Sequence, residues 1–295
     1  MKFIETKKGT PDAVKISYED YGQGKPIVLI HGWPLSKEMW EYQLEPLVNA
    51  GFRVVKYDRR GFGKSDKPWD NYDYDTLTDD LRTLIEELGL QDVTLVGFSM
   101  GAGEVARYFG KYGNDRISKA VLISGVTPYM AAELPQEKMD EMMDGVVNDR
   151  IGFLDDFGKQ FFGVNLLSHP VSTPLLEYYR MLASFASGRS TRECMKSFAN
   201  TDFTQDVVKI NVPALIIHGS ADKTVPIDIS AEKTAKLMPA AQYIIYEDAP
   251  HGLFYTHRER LNADLISFIG SGKIDEQSIR EETVLLPSNE ALITR

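Results

Sequence analysis

The chain has 295 residues, and 43% of them are hydrophobic, which is enough for a packed core without disulfides or a structural metal. Lys and Arg number 33 against 43 Asp and Glu, so the net charge of −10 argues against a nucleic-acid or anionic-membrane partner. The single cysteine, Cys194, excludes an internal disulfide framework and a Cys-rich zinc or iron–sulfur site.

Two short runs with partial alternation, at residues 3–6 and 14–18, predict an antiparallel pair of strands at the start of the chain. Further apolar runs follow, separated by turns and by segments of helical periodicity. They lie at 26–30, 53–57, 93–96, 120–123, 214–217 and 243–246. Strands that are buried on both faces of a parallel sheet have this composition. The pattern therefore predicts an α/β fold with a mostly parallel, eight-stranded sheet and helices on both faces.

The alternation stops between about residues 127 and 206, where helical or irregular segments rich in Met, Phe and Tyr replace the strands. This region predicts a helical cap inserted between two strands of the sheet. Within it, Met139, Met142 and Met143 have the spacing of one helix face, and we interpret them as packing residues. The expected organisation is a core at 1–126 and 207–270, a cap at 127–206 and a C-terminal tail at 271–295.

The sequence shows neither a targeting signal nor a membrane span. Its first residues lack the apolar run and small-residue cleavage site of a secretory signal, and no stretch of about eighteen apolar residues occurs. These features are typical of a soluble, cytoplasmic protein. The acidic tail carries one apolar cluster at 284–287. This tail could dock on its own subunit or on a neighbouring one, and the sequence leaves both possibilities open.

A candidate nucleophile lies directly after the predicted strand 93–96. The sequence G-F-S-M-G at 97–101 places Ser99 between that strand and a helical segment. A G-x-S-x-G turn presents its serine on a sharp elbow, and small flanking residues let the backbone turn without clashes. Because ligands bind at the carboxyl edge of an open α/β sheet, this position favours Ser99 as a nucleophile.

A serine nucleophile needs a base, and the base needs an orienting acid. Of five histidines, His251 follows the last predicted strand on a turn and is expected at the same sheet edge as Ser99. Asp222 lies just beyond strand 214–217, and the order Ser99, Asp222, His251 is that of an α/β-hydrolase triad. Asp228 and Asp248 are nearby alternatives for the acid, although Asp248 is close in sequence to His251.

Two main-chain amides are candidates for an oxyanion hole. The turn after strand 26–30 reads H-G-W-P at 31–34, so the amide of Trp33 can pair with that of Met100. Together they would hold the negative oxygen of a tetrahedral intermediate. Pro34 has no N–H, so we expect it to shape the turn and the pocket wall.

Two motifs resemble nucleotide-binding sequences, but neither has the residues in the required positions. The spacings of common metal-binding motifs are absent. G-A-G-E-V-A at 101–106 matches a dinucleotide pattern, but its first glycine lies beyond Ser99 and inside the predicted helix. G-K-S at 63–65 lacks the earlier glycine of a phosphate loop, because that position is Asp58. Paired Cys/His spacings typical of metal sites do not occur. We therefore expect neither a cofactor nor a metal.

With these motifs assembled, the chain resembles the α/β-hydrolase superfamily. From about Tyr18 to Ile269 it is similar to the bacterial arylesterases and cofactor-free haloperoxidases, also called perhydrolases. The stretches that carry this resemblance are H-G-W-P-L at 31–35, D-R-R-G-F-G-K-S at 58–65, G-F-S-M-G at 97–101, G-E-V-A-R-Y at 103–108, T-D-F-T at 201–204, P-H-G-L at 250–253 and L-N-A-D-L at 261–265.

The resemblance implies a cofactor-free serine hydrolase of small esters and lactones, with Ser99 as nucleophile, His251 as base and Asp222 as orienting acid. Members with Trp-Pro at the positions matching Trp33 and Pro34 are associated with perhydrolysis, in which peroxide replaces water. The implied partner is a small-molecule ester or lactone. A homo-oligomer is expected, although the tail departs from the family's usual pattern.

We predict an acyl-enzyme on Ser99 and a substrate pocket formed by Trp33, Val126, Met130 and Phe162. Activity should fall at acidic pH, because a protonated His251 cannot accept the serine proton. The alternatives are an acyl-homoserine lactonase, which needs a slot for an acyl chain, a lactamase, and a ligand-sensing receptor that keeps the triad. Multiple turnover of a simple ester would exclude the receptor.

Overall fold

One eight-stranded sheet organises residues 2–274, the part of the chain that the computed structural model describes. The predicted tail lies outside these residues from position 275 onward. The strands, β1 to β8 in chain order, are Lys2–Thr6, Val14–Tyr21, Pro26–Ile30, Arg53–Tyr57, Val93–Phe98, Ile117–Ile123, Ala214–Gly219 and Gln242–Tyr246. Their spatial order is β1-β2-β4-β3-β5-β6-β7-β8.

The first two strands are antiparallel to their neighbours, and β3 to β8 are parallel to one another. The predicted α/β fold with a mostly parallel eight-stranded sheet is therefore confirmed. The predicted start of β6 was wrong by three residues, because the strand begins at Ile117. Its half-buried Ser118 and Lys119 hide the apolar signal at that end.

Eleven helices, α1 to α11, accompany this sheet within residues 2–274. They are Glu41–Asn49, Tyr74–Glu87, Met100–Tyr112, Gln136–Asn148, Arg150–Phe161, Thr173–Ser184, Gly188–Asn200, Thr204–Val207, Ala231–Leu237, Leu253–Thr256 and Arg258–Ser271. Short 3₁₀ helices lie at Lys37–Trp40 and Met130–Ala132. None of the described helices combines the length and apolar character needed to cross a bilayer.

Both faces of the sheet are buried. Along β3, Val28 and Ile30 belong to one core cluster, whereas Ile27 and Leu29 belong to the other, and all four are fully buried. Alternate side chains of a strand point to opposite faces, so a strand covered on both sides is apolar at every position. Helices α2 and α3 cover the first face, and α1 and α11 cover the second.

Helices α4 to α7 are inserted between β6 and β7, in the region where the sequence predicts a cap. Helix α5 packs against α6, and α4 packs against α7. Side chains of α4, α5 and α7 line a cavity that also contains Ser99. The insertion therefore lies over the carboxyl edge of the sheet.

Candidate active site

Ser99 occupies a strained turn between β5 and α3. Its φ of 54° and ψ of −117° lie in a region that residues other than glycine rarely adopt. The Ser99 amide donates to the carbonyl of Ile123 at 2.8 Å. A Cβ on Gly101 would lie 2.5 Å from the carbonyl oxygen of Ile30, so only glycine permits this approach of α3 to β3. The tight packing holds the serine at the carboxyl edge of the sheet.

The structure brings Ser99, His251 and Asp222 into one hydrogen-bonded chain. Nε2 of His251 lies 3.0 Å from Oγ of Ser99, and its Nδ1 lies 2.6 Å from Oδ2 of Asp222. A carboxylate only accepts, so the proton of a neutral imidazole is on Nδ1 and the lone pair of Nε2 faces the hydroxyl. All three residues are buried, with Ser99 only 6% exposed.

Asp222 is held in its ionised form. Burial alone would raise its pKa, but the charge of His251 and hydrogen bonds from His218 and His251 outweigh burial and hold the pKa well below its usual value. Oδ1 accepts from the amides of Thr224 and Val225 at 2.9 and 2.8 Å. These bonds fix the carboxylate in the orientation that meets His251.

The two alternative candidates for the orienting acid do not contact the base. Neither Asp228 nor Asp248 forms a hydrogen bond with His251 in the described part of the chain. A second histidine, His218, was not predicted at this site. Its Nε2 donates to the carbonyl of Val225 at 2.8 Å and lies 3.2 Å from Oδ2 of Asp222. Both histidines therefore contact the same carboxylate oxygen of Asp222.

The oxyanion loop, which we define as residues 31–34, lies directly beside the serine. A Cβ on Gly32 would be 2.6 Å from the ring of Phe98 and 3.1 Å from Cβ of Ser99, so glycine is required for this close approach. Within residues 2–274, the amides of Trp33 and Met100 donate to no other protein group. Met100 begins α3, where the first amides of a helix lack intrahelical partners. Both predicted donors therefore remain available near Ser99.

The cavity in front of Ser99, called the Ser99 cavity below, is small and mostly apolar. Its volume is about 30 Å³. Besides Ser99, its lining consists of Trp33, Val126, Met130, Leu134, Met139, Met142, Phe157, Phe198, Thr224 and Val225. Trp33, Val126 and Met130 are thus located where the sequence predicted pocket residues.

Phe162 was predicted in this pocket, but it does not line the Ser99 cavity. Helix α5 ends at Phe161, and the ring of Phe162 turns away to pack against Gly252 and Tyr179. Phe157, on α5 itself, lines the cavity instead and makes an edge contact with Trp33 at a centroid distance of 5.3 Å. The aromatic spacing of α5 was the available signal, but only packing shows which ring faces Ser99.

The methionine stripe has two roles. Met139 and Met142 line the Ser99 cavity, whereas Met143 lines a separate surface cleft with Lys196 and Asn200. All three also pack against the main core, in agreement with their interpretation as packing residues. That interpretation missed the contribution of Met139 and Met142 to the cavity wall.

An outer cleft of about 630 Å³ adjoins the Ser99 cavity. The two share Met142, Phe157 and Thr224, so these side chains lie between the cavity and the cleft, which runs between α4 and α5. Several charged and exposed residues line the cleft, and all but one are acidic. They are Lys138, Glu141, Asp144, Asp149 and Asp156.

Within residues 2–274, groups suited to metal or thiol chemistry are not brought together around this site. The described residues contain no group of three or more His, Cys, Asp or Glu side chains that could hold a metal ion. Cys194 is fully buried in α7, and burial raises the pKa of its thiol to about 12. Gly101 and Gly103, from the dinucleotide-like pattern, lie inside α3.

Known proteins resemble this chain over nearly its whole length. A non-heme chloroperoxidase of Kitasatospora aureofaciens is 40% identical over 268 residues, covering 88% of this chain and 98% of the relative. A bifunctional esterase/perhydrolase of Acinetobacter calcoaceticus is 39% identical over 280 residues, covering 92% and 100%. The crystal structure of a bromoperoxidase from Bacillus anthracis has a TM-score of 0.87 and 45% identity, covering 92% of this chain and 100% of its own.

The family described as alpha/beta hydrolase fold matches residues 25–258, which include every element that builds the site. This match agrees with the sheet order, the serine turn and the expected resemblance to haloperoxidases and perhydrolases. The chain belongs to the α/β-hydrolase family.

Proposed function

We propose that this protein is a serine hydrolase that cleaves small, uncharged carboxylic esters and lactones through an acyl-enzyme, with perhydrolysis as a side reaction. The observation that carries the proposal is the hydrogen-bonded chain from Ser99 through His251 to Asp222, next to the unpaired amides of Trp33 and Met100. The relatives named as an esterase/perhydrolase and as haloperoxidases support the same reaction class.

The first half-reaction transfers the acyl group to Ser99. Nε2 of His251 accepts the hydroxyl proton while Oγ attacks the ester carbonyl, and the oxyanion takes hydrogen bonds from Trp33 and Met100. Asp222, already ionised, stabilises the imidazolium that forms. When the tetrahedral intermediate collapses, the bond to the leaving oxygen breaks and His251 returns the proton to it. An alcohol leaves, or a lactone ring opens.

The second half-reaction removes the acyl group. His251 takes a proton from water, whose oxygen attacks the acyl carbonyl, and collapse releases a carboxylic acid and restores the Ser99 hydroxyl. Hydrogen peroxide attacking in place of water would release a peracid by the same steps. Trp33, Met130 and Phe157 form an apolar wall beside the acyl group on Ser99.

The size of the Ser99 cavity favours short acyl groups. A volume of about 30 Å³ holds roughly one or two small molecules such as water, so a long chain has no preformed slot beside Ser99. Among the alternatives, this favours an esterase of short acyl chains over a lactonase of long-chain homoserine lactones. The acidic outer cleft favours uncharged substrates over anionic ones.

The test compares wild-type protein with Ser99→Ala on phenyl acetate, a small lactone, a lactam and a long-chain homoserine lactone, each with and without hydrogen peroxide. We expect multiple turnover of phenyl acetate and the small lactone, peracid release when peroxide is present, and a loss of at least about 10³-fold in kcat for Ser99→Ala. A fluorophosphonate probe should add to the peptide that contains Ser99, with loss of fluoride.

Ser184→Ala is the matched control, because this half-buried serine ends α6 and its hydroxyl makes only a local bond to the carbonyl of Met181. It should keep wild-type turnover. The proposal would be wrong if Ser99→Ala hydrolysed phenyl acetate at the wild-type rate. A single turnover per protein molecule would instead favour the ligand-sensing receptor.

A further inference from the structure

A fully buried ion pair joins the two segments that supply the predicted oxyanion-hole amides. Arg59 follows β4, and Glu104 lies on α3, five residues after Ser99. Nε of Arg59 donates to Oε1 of Glu104 at 2.5 Å, and its Nη2 contacts the same oxygen. The other carboxylate oxygen accepts from the hydroxyl of Tyr57 at 2.8 Å. Both charged side chains are 1% exposed or less.

Arg59 also forms hydrogen bonds with the oxyanion loop. Its Nη2 donates to the carbonyl of His31 at 2.7 Å, and its own amide donates to Nε2 of His31 at 2.9 Å. Since Nε2 accepts, the imidazole proton is on Nδ1 and donates to the carbonyl of Gly32 at 2.8 Å. The loop is therefore tied to Arg59 through main-chain and side-chain atoms just before Trp33.

The two segments that this ion pair connects carry the predicted oxyanion donors. One oxyanion donor, the Trp33 amide, is on the loop, and the other, the Met100 amide, is on the first turn of α3. The pair of Arg59 and Glu104 links the oxyanion loop to this helix. Donors of an oxyanion hole act only within a narrow range of distance from the developing charge.

We infer that Arg59 and Glu104 are positioning residues for the oxyanion hole, which hold the amides of Trp33 and Met100 at the spacing that the tetrahedral intermediate requires. The inference rests on the proposed function, because it assigns a role within the same acyl transfer. Burial of two charges is costly and often adds little net stability.

The chain contains a matched control in the neighbouring residue. Arg60 forms a second buried pair, with Asp80 of α2, through bonds of 2.6 and 2.7 Å. Its side chains are 0% and 3% exposed, and the remaining bond of Arg60 goes to the carbonyl of Asn71. Neither residue bonds to the oxyanion loop or to α3 in the described part of the chain. Both pairs are therefore buried ion pairs of arginine and a carboxylate, but only the pair of Arg59 and Glu104 connects the oxyanion loop to α3.

The experiment compares Glu104→Gln with Asp80→Asn, each of which neutralises one buried carboxylate. We expect Glu104→Gln to lower kcat for phenyl acetate by about 10- to 100-fold, with KM within about twofold, because the loss concerns the transition state only. Asp80→Asn should lower the melting temperature by about as much as Glu104→Gln does, but it should keep kcat within about twofold of wild type.

Inhibitor binding separates positioning from a structural role. Phenylboronic acid forms a tetrahedral adduct on Ser99, so its affinity should fall with kcat in Glu104→Gln. Acetanilide, an unreactive amide analogue of the substrate, should bind as in wild type. If Glu104→Gln does not fold, Tyr57→Phe removes only the bond to Oε2, and a kcat loss of about two- to fivefold with unchanged KM is then expected.

Parallel losses of kcat and melting temperature in Glu104→Gln and Asp80→Asn would overturn the inference, as would wild-type kcat in a folded Glu104→Gln. If Tyr57→Phe has to stand in, wild-type kcat in that variant would overturn it as well. Failure of the proposed function is a separate result: wild-type protein would then show no ester turnover, or Ser99→Ala would retain it.

Discussion

His31, the first residue of the oxyanion loop, is fully buried and contacts Arg59. Burial, together with the positive charge of Arg59, holds the pKa of its imidazole well below the ordinary value of 6.5. The neutral ring is required here, because Nε2 accepts from the Arg59 amide while Nδ1 donates to Gly32. Protonation would break the first of these bonds and add a cation next to a guanidinium.

This depressed pKa predicts a pH-dependent stability. Below about pH 6.5 the unfolded chain binds a proton at His31 that the folded chain does not, so the free energy of unfolding falls as pH decreases, by up to about 1.4 kcal/mol per pH unit. Above pH 6.5 both states are neutral and His31 adds no slope. His31→Asn should therefore flatten the pH dependence between 6.5 and 5, as measured by urea unfolding.

His169→Asn is the control for this measurement, because that histidine is exposed in the loop before α6. It should retain the wild-type slope. Equal slopes in wild type and His31→Asn between pH 6.5 and 5 would contradict a depressed pKa for the buried ring.

At the scale of elements, the cap determines the depth of the Ser99 cavity. Phe157 of α5 and Phe198 of α7 meet the indole of Trp33 at centroid distances of 5.3 and 5.5 Å. The indole N–H of Trp33 donates to the carbonyl of Thr191 at 2.9 Å. The cap is thus attached to the oxyanion loop by one aromatic side chain, and its rings close the space in front of Ser99.

Phe157→Ala should change acyl-chain preference. Removing the ring opens the cavity toward the outer cleft, and each further methylene that becomes buried is worth about 0.8 kcal/mol, or about fourfold in kcat/KM. We expect the ratio of kcat/KM for 4-nitrophenyl octanoate over butyrate to rise about tenfold or more. Phe185→Ala, at an exposed ring just after α6, should leave this ratio unchanged. An unchanged ratio in Phe157→Ala would show that α5 does not limit chain length.

At the scale of the whole molecule, negative charge lines the outer cleft next to the Ser99 cavity. The chain has a net charge of −10, and four of the five charged residues that line the outer cleft are acidic. Asp156 is partly compensated by Lys159 at 2.9 Å. A field of this sign lowers the encounter rate of anionic substrates and is screened by salt over about 10 Å at 0.1 M.

The double variant Glu141→Gln/Asp144→Asn should raise kcat/KM for 4-carboxyphenyl acetate about three- to tenfold at low ionic strength, and the gain should vanish near 1 M salt. Phenyl acetate, which is uncharged, should be hydrolysed as by wild type. Asp12→Asn/Glu45→Gln changes net charge equally at exposed positions that do not line the cleft, and should have little effect on either substrate. Equal gains in kcat/KM for 4-carboxyphenyl acetate in both double variants would show that the net charge of the protein, and not the charge at the cleft, is responsible.

Much of this organisation was available from the sequence. Apolar runs along strands such as β3 and β7 report burial on both faces, and the G-F-S-M-G turn depends on small residues at fixed positions. Both signals are local, because strand burial and turn geometry act on neighbouring residues. The order of Ser99, Asp222 and His251 along the chain was equally visible, since each follows a strand that ends at the same sheet edge.

Only the tertiary structure decided which side chains face the serine. Phe157 and Phe162 are similar in sequence context, yet the end of α5 turns one ring toward Ser99 and the other toward Gly252. The contact of Arg59 with Glu104 was likewise invisible, because the two residues are 45 positions apart in the chain. His218 contacts Asp222 and Val225, only four and seven residues further on, but the fold of the turn after β7 is what brings them together. Local sequence determines the elements and their buried faces, whereas contacts between distant segments depend on how those elements pack.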